Sequence, residues 1–234
     1  MKGEVKIVQV HAKSKSYDVL IGNSILSQLE RKRDILCDER FAVIISSRVY
    51  ELYQNYISNI FKDYKNCDIL QMQDGEDQKN YKNAEGFLEI LLKKGYTRKS
   101  VIIDIGGGVV GDFAGFIAAV YMRGIPVIHI PTTLLAMVDS SIGGKVAVNI
   151  SSGKNIVGIF HQPEMVISDS SFLSTLPENE VKNGITEVLK HALIGDDLLW
   201  DIIINNNLNS IMEPDCISNV IFLSAAFKAG IVER

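Results

Sequence analysis

Four glycines stand close together in Asp104-Ile-Gly-Gly-Gly-Val-Val-Gly-Asp112, between a run of buried-strand character and an amphipathic helical pattern. At such a junction glycine lets a ligand approach the backbone, and the unpaired N–H groups of the first helical turn can hold a phosphate. The spacing is not a clean G-x-G-x-x-G, and a plain strand–turn–helix also needs a glycine, so on its own the segment leaves both readings open. Ten of the 18 glycines lie between Gly106 and Gly158, whereas residues 101–168 hold only seven charged side chains. Glycine and charge are therefore placed, and the placement predicts a site. Pro131-Thr132-Thr133 ends an apolar run and offers two hydroxyls on the edge where α/β sheets bind ligands, or a helix cap. Asp139-Ser-Ser-Ile-Gly-Gly-Lys-Val-Ala-Val-Asn149, followed by Gly153-Lys-Asn155, sets lysines in otherwise apolar surroundings. Burying an unpaired ammonium is costly, so an anionic ligand is expected beside them. Asp74-Gly-Glu-Asp-Gln-Lys79 reads as a polar turn after a strand.

The elements that must position these residues alternate. Val5–Val10 and Tyr17–Ile21 predict an antiparallel strand pair. Strands at Phe41–Ser46, Cys67–Gln71, Val101–Ile105 and Val127–Ile130 interleave with helices near 49–61, 81–94 and 110–122. That pattern predicts an α/β fold with a mainly parallel sheet. An apolar strand is expected ahead of His161. From Leu176-Pro177-Glu178 onward the chain reads as all helical, with Asp215 capping a helix whose apolar positions run to the last residues. The domain division expected is 1–176 for the α/β unit and 177–234 for the opening helices of an all-α unit. No stop signal closes the last helix, so the sequence predicts a truncation.

The 234 residues carry 24 Lys+Arg against 28 Asp+Glu, for a net charge of −4. With no basic run, nucleic acid is not an expected partner. No apolar run approaches the roughly 20 residues of a membrane span, and the N-terminus lacks a signal-peptide core, so a cytoplasmic protein is expected. Cys37, Cys67 and Cys216 are far apart and odd in number, which fits a reducing compartment.

The motifs Asp74-Gly-Glu-x-x-Lys79, Gly106-Gly-Gly-Val-Val-Gly-Asp112, Tyr121-Met-Arg-Gly124, Pro131-Thr-Thr-Leu-Leu135, Val138-Asp-Ser-Ser-Ile-Gly-Gly-Lys145, Gly153-Lys-Asn155 and Glu187-Val-Leu-Lys190 occur in this order. Together they resemble the N-terminal part of the 3-dehydroquinate synthase family, among the sugar-phosphate cyclases. The resemblance implies a Rossmann-like domain, bound NAD, a divalent metal (zinc or cobalt), and a homodimer. It implies conversion of 3-deoxy-D-arabino-heptulosonate 7-phosphate to 3-dehydroquinate and phosphate, the second step of the shikimate pathway, by a phosphate-eliminating lyase. Carried over by position, Asp74, Gly75, Glu76, Asp77, Gln78 and Lys79 would contact NAD. So would Gly108, Val109, Val110, Gly111, Asp112, Thr132, Thr133, Lys145, Lys154, Phe172, Leu173, Ser174 and Thr175. Arg123, Asp139, Lys145, Asn155, Lys190 and Lys228 would face the substrate, and Glu187 would be a metal ligand.

Two departures qualify this. The family's other metal ligands are histidines in a later region, and the four here are His11, His129, His161 and His191. The chain alone is thus expected to have an incomplete metal site and to be inactive by itself. Glu187 and His191 share a helix face, which leaves a two-ligand site or simple packing of His191. Ser46-Ser47 stands where the family often has an acid or amide for the adenosine ribose. Another cyclase, a polyol dehydrogenase, or a non-catalytic nucleotide-binding module are the alternatives.

Overall fold

The computed structural model describes residues 4–37, 39–195 and 197–234, the side chain of Cys37 excepted. The N-terminal strands β1 (Lys6–Ala12) and β2 (Lys15–Gly22) pair antiparallel, Lys6 opposite Ile21 and Ala12 opposite Lys15. They extend a sheet whose other members, β3 (Phe41–Ser46), β4 (Cys67–Met72), β5 (Val101–Gly106), β6 (Val127–Pro131) and β9 (Met165–Asp169), are parallel. The sheet order is β1-β2-β9-β6-β5-β3-β4. Strands β7 (Lys145–Ile150) and β8 (Gly153–Phe160) form a separate hairpin. The expected parallel sheet and N-terminal pair are thus present. Where the sequence pattern places one apolar strand, before His161, the chain forms three between Lys145 and Asp169.

Every residue of β3, β5, β6 and β9 is buried, as in parallel strands with both faces covered. One face carries α2 (Ser47–Phe61), α5 (Glu178–Gly195), α6 (Asp197–Asn205), α7 (Leu208–Ile211) and α8 (Pro214–Val232), sharing a core with Val101, Ile103 and Ile105. The short α1 (Arg33–Cys37) adds Leu36 to the same cluster. The opposite face carries α3 (Tyr81–Lys93) and α4 (Gly108–Val120), packed with Ile102 and Val127 and with Val146 and Val148 of the hairpin.

Helix α8 starts two residues earlier than the sequence suggests. Glu213 is its N-cap residue and Pro214 occupies the first turn, so Asp215 lies inside that turn, complementing the helix dipole rather than capping. By length and composition α8 alone among the described helices could cross a bilayer, which the absence of a long apolar run had not suggested. Here it lies on β1 and β2, burying Ile217, Val220, Ile221, Ala225 and Ala229.

The topology fixes where a ligand can sit. From β3 the chain crosses to β4 on one side, and then returns to β5 on the other. Connections leave in opposite directions there, opening a crevice at the carboxyl ends of β3 and β5, at Ser46 and Gly106.

Candidate functional site

The crevice is a cleft of ≈ 480 Å³, within the size range of small-molecule sites. Its floor is the start of α4. Gly107 is the N-cap, and Gly107, Gly108, Val109 and Val110 line the cleft; the Val110 N–H donates to the Gly107 carbonyl at 3.0 Å, and the N–H groups of Gly108 and Val109 precede the first intrahelical bond. A Cβ on Gly108 would come 2.9 Å from Ser140 Oγ, so the absence of a side chain keeps this end of the helix open. One wall is the turn after β4, with Asp74, Gly75, Glu76 and Lys79, and the other is Thr132, Thr133, Phe172 and Thr175. Eleven of the residues expected at a nucleotide therefore converge: those eight with Gly108, Val109 and Val110.

The rest do not all join them. Asp77 and Gln78 do not line the cleft; Asp77 is exposed and borders another depression. Leu173 is buried in the core and Ser174 is held by Tyr53 Oη. Gly111, Asp112 and Lys145 lie behind the glycine turn, next to Ser140 and Ser141. Lys154 borders a different depression with Asn149, Asn80 and Asp77. Both Lys145 and Lys154 are exposed, which removes burial as the reason to expect an anion beside them. Lys79 is the lysine that is buried, and its ammonium meets Asp112 at 2.9 Å and Glu76 at 3.5 Å. The end of the turn is therefore tied to α4, while Asp74, Gly75 and Asp77 stay exposed. Asp112 is held up from the ordinary carboxylate range by burial, against the pull of Lys79.

Ser46, the departure noted in the sequence, turns out to organise the cleft. Its Oγ caps α2 by accepting from Val49 N at 3.1 Å and donates to Asp74 Oδ1 at 2.6 Å, while Asp74 Oδ2 accepts from Arg48 N at 2.9 Å. Ser46→Ala is expected to lower folding stability by about 1 kcal/mol through the lost cap, read as a drop in the urea midpoint.

A second cluster sits where a π-helical turn, Ala136–Ser140, faces α5 and α8. Such turns recur at functional sites. One donor atom each from Asp139, Glu187 and His191 lie within 4.8 Å of one another. Lys228 Nζ donates to Asp139 at 2.5 Å and Lys190 Nζ to Glu187 at 2.6 Å. Four of these, Asp139, Glu187, Lys190 and Lys228, come from the residues expected at substrate or metal, and His191 joins them. His191 is buried, tilted against Phe227 with ring centroids 5.2 Å apart, and its Nε2 is 3.4 Å from Glu187 Oε1. Burial pushes its pKa down, keeping the ring neutral. Arg123 is not brought here. It follows the far end of α4, about 20 Å along the helix from Gly107, in a left-handed conformation (φ 72).

What sequence reasoning missed lies beneath α4. His129 Nδ1 and Asp104 Oδ2 are 2.5 Å apart and both residues are buried. Gly111 and Gly115, one helical turn apart, face the pair: a Cβ at the first would sit at ordinary contact distance, 3.6 Å, from Asp104 Oδ1, while at the second it would meet Val146 Cγ1 at 2.4 Å and His129 Cε1 at 3.4 Å. The signal was available, since two polar residues at facing positions of apolar strands are costly unless paired.

The family profile described as "3-dehydroquinate synthase N-terminal" matches residues 69–183. A curated 3-dehydroquinate synthase from Endomicrobium trichonymphae is 40% identical over 231 residues, 98% of this chain and 64% of its own length. The chain thus carries the N-terminal profile of that family over residues 69–183 and is similar to its members over nearly its whole length. It spans less than two thirds of that relative's length. Among solved structures, 2-deoxy-scyllo-inosose synthase complexed with carbaglucose-6-phosphate, NAD+ and Co2+ aligns with TM-score 0.86 and 29% identity, covering 97% of this chain and 63% of the other. A 2-epi-5-epi-valiolone synthase from Streptomyces hygroscopicus subsp. jinggangensis 5008, with NAD+ and Zn2+ bound, aligns with TM-score 0.81 and 26% identity over 93% of this chain and 61% of the other. The dehydroquinate synthase relationship and these cyclase neighbours agree with the fold: a mostly parallel, Rossmann-like sheet with an antiparallel pair at its edge.

Proposed function

We propose that this chain is the nucleotide-binding part of a 3-dehydroquinate synthase, converting 3-deoxy-D-arabino-heptulosonate 7-phosphate to 3-dehydroquinate and phosphate in the shikimate pathway. The observation that carries the reading is the ≈ 480 Å³ cleft over the Gly107–Gly108 helix start. A carboxylate- and lysine-rich cluster flanks it at Asp139, Glu187, Lys190 and Lys228. Identity of 40% to curated 3-dehydroquinate synthases, against 29% to an inosose synthase, favours this cyclase over its relatives.

The residues fit NAD, because the cleft offers unpaired N–H groups and a backbone that a Cβ would obstruct. Gly107–Val110 would lie along the pyrophosphate, and Ser46 and Asp74 are placed for a ribose. They also fit a divalent cation, because two carboxylates and a neutral imidazole lie within 4.8 Å. Glu187 would hold it, with Asp139 and His191 alongside. Bound NAD would take up and return one hydride, and a bound metal would polarise the alcohol and ketone oxygens. Transient oxidation beside a C–H acidifies that position, so phosphate can leave by elimination before reduction and an intramolecular aldol closure. The chain's own contribution is positional: Lys190 and Lys228 hold anionic groups of the substrate, and Asp139 accepts a hydroxyl hydrogen bond. Lys145, Asn155 and Arg123 belong to the substrate set by position, though they stand apart from that cluster here. A cytoplasmic homodimer, with residues 1–176 and 177–234 as its two units, belongs to the same reading.

Isothermal titration of the folded 234-residue chain with NAD+ should show saturable binding at one site. A folded chain that takes up no NAD+ sinks the proposal. Phosphate release from the heptulosonate phosphate by the full-length protein then separates this cyclase from its relatives.

A further inference from the structure

Between the nucleotide cleft and the β7–β8 hairpin stands one residue that neither site claims. Asn149, near the end of β7, bonds in both directions. Its Nδ2 donates to Glu76 Oε1 at 2.8 Å and to the Glu76 carbonyl at 3.3 Å. Its backbone N–H donates to the Lys79 carbonyl at 2.8 Å, and Asn80 and Asn149 form an isolated parallel bridge. On the other side its Oδ1 accepts from Asn155 N at 2.8 Å. Asn155 is left-handed (φ 56), a conformation that costs a non-glycine residue and persists when its surroundings enforce it. The ladder between β7 and β8 shifts register between Val148 and Ile150, freeing Asn149 from regular pairing so that its side chain spans the gap.

The turn on one side of Asn149 is rigid. Lys79 is buried against Asp112 and Glu76, which ties the segment carrying Glu76 to the first turn of α4. On the other side, β7 is anchored on α4 through Val146 and Val148, while β8 and its turn are largely exposed from Ser151 to Phe160 and meet α4 sparingly. A force on the nucleotide-side turn therefore reaches the Gly153-Lys154-Asn155 turn through Asn149.

We propose that Asn149 is a positioning residue, which locks the Lys154–Asn155 turn to the wall of the nucleotide cleft so that filling the cleft orders the hairpin. The proposal rests on the reading of that cleft as an NAD site. Its chemistry is hydrogen bonding alone, and no bond is made or broken. The amide side chain is suited to it, being donor and acceptor at once. Asn149→Ala removes both side-chain arms and leaves the backbone bond to the Lys79 carbonyl. Asn149→Asp keeps the acceptor for Asn155 N–H but sets a carboxylate against Glu76, so it cuts the cleft-side arm only.

Hydrogen–deuterium exchange on the 234-residue chain, with and without NAD+, reads both arms. Without ligand, exchange at the Asn155 amide should rise by about tenfold or more in Asn149→Ala and stay near the parent value in Asn149→Asp. On adding NAD+, the parent should slow exchange in residues 76–80 and in 150–160 together. Both variants should slow it in 76–80 only. NAD+ protection of 150–160 surviving undiminished in Asn149→Asp, or absent from the parent while 76–80 is protected, overturns the proposal. Protection by NAD+ nowhere in the parent is the failure of the NAD reading, and the ligand-linked half of this proposal falls with it. The Asn155 amide then still decides the structural half by itself: no acceleration in Asn149→Ala refutes it.

Discussion

Asp104→Ala is expected to cost about 3–5 kcal/mol of folding stability, because it strands the His129 ring under α4 without the carboxylate it was buried with. Asp112 supplies only a weaker, more distant negative charge, and His129 is 4% exposed with the glycine face of α4 against its ring. Burial alone would push the His129 pKa down, but the charge and hydrogen bond of Asp104 outweigh it, with help from Asp112, and the pKa stands above the ordinary value. A raised folded-state pKa means that the pair's contribution is complete below the unfolded value, about 6.5, and is lost as pH rises through the folded value. The stability gap between parent and Asp104→Ala should accordingly be widest at about pH 6 and narrow toward about pH 8.5. Urea denaturation at the two values measures it. Asp104→Leu combined with His129→Leu should recover most of the loss, since a buried ion pair exchanges for apolar packing at little cost. A single variant as stable as the parent at about pH 6 would show that the contact contributes nothing.

Gly108→Ala is expected to separate binding from folding. The new methyl would meet Ser140 Oγ at 2.9 Å, and Ser140 can rotate one short side chain to make room. Alanine in the first turn of α4 improves helix propensity by up to ~1 kcal/mol, so the urea midpoint should hold or rise. The same methyl projects where a pyrophosphate would lie on the helix start. NAD+ affinity should therefore fall by about 100-fold, equivalent to about 2.7 kcal/mol, in a calorimetric titration. Unchanged affinity would place the dinucleotide elsewhere.

The fold was largely legible because parallel strands buried on both faces and helices between them leave strong apolar runs, as at Phe41–Ser46 and Val101–Ile105. The pairing of β7 with β8 was not: β8 shows as an apolar run ahead of His161 but is exposed at Ile156 and Phe160, and β7, whose burial does alternate, is too short and polar near its ends to stand out. Of the candidate site, the glycine turn and the Asp74–Lys79 turn were legible from local pattern. The roles of individual polar groups were not, because they are set by partners far along the chain: Lys79 by Asp112, Ser46 by Asp74, Asp104 by His129. The clustering of glycines also had a second cause hidden from sequence. Gly115 serves the close contact of α4 with Val146 of the hairpin rather than a ligand.

The last helix returns to the first strand. Lys6 Nζ donates to Asn219 Oδ1 at 2.9 Å and His11 N to Glu233 Oε1 at 2.7 Å, contacts that close loops of more than 200 residues. Such closures delay folding, because chain entropy is lost before the contacts form. At synthesis rates of ~5–20 residues per second, the outer apolar face of β1 and β2 waits on the order of ten seconds or more for residues 214–232 to emerge. During that interval the edge hairpin is the part of the nascent chain most open to mispairing and to chaperones.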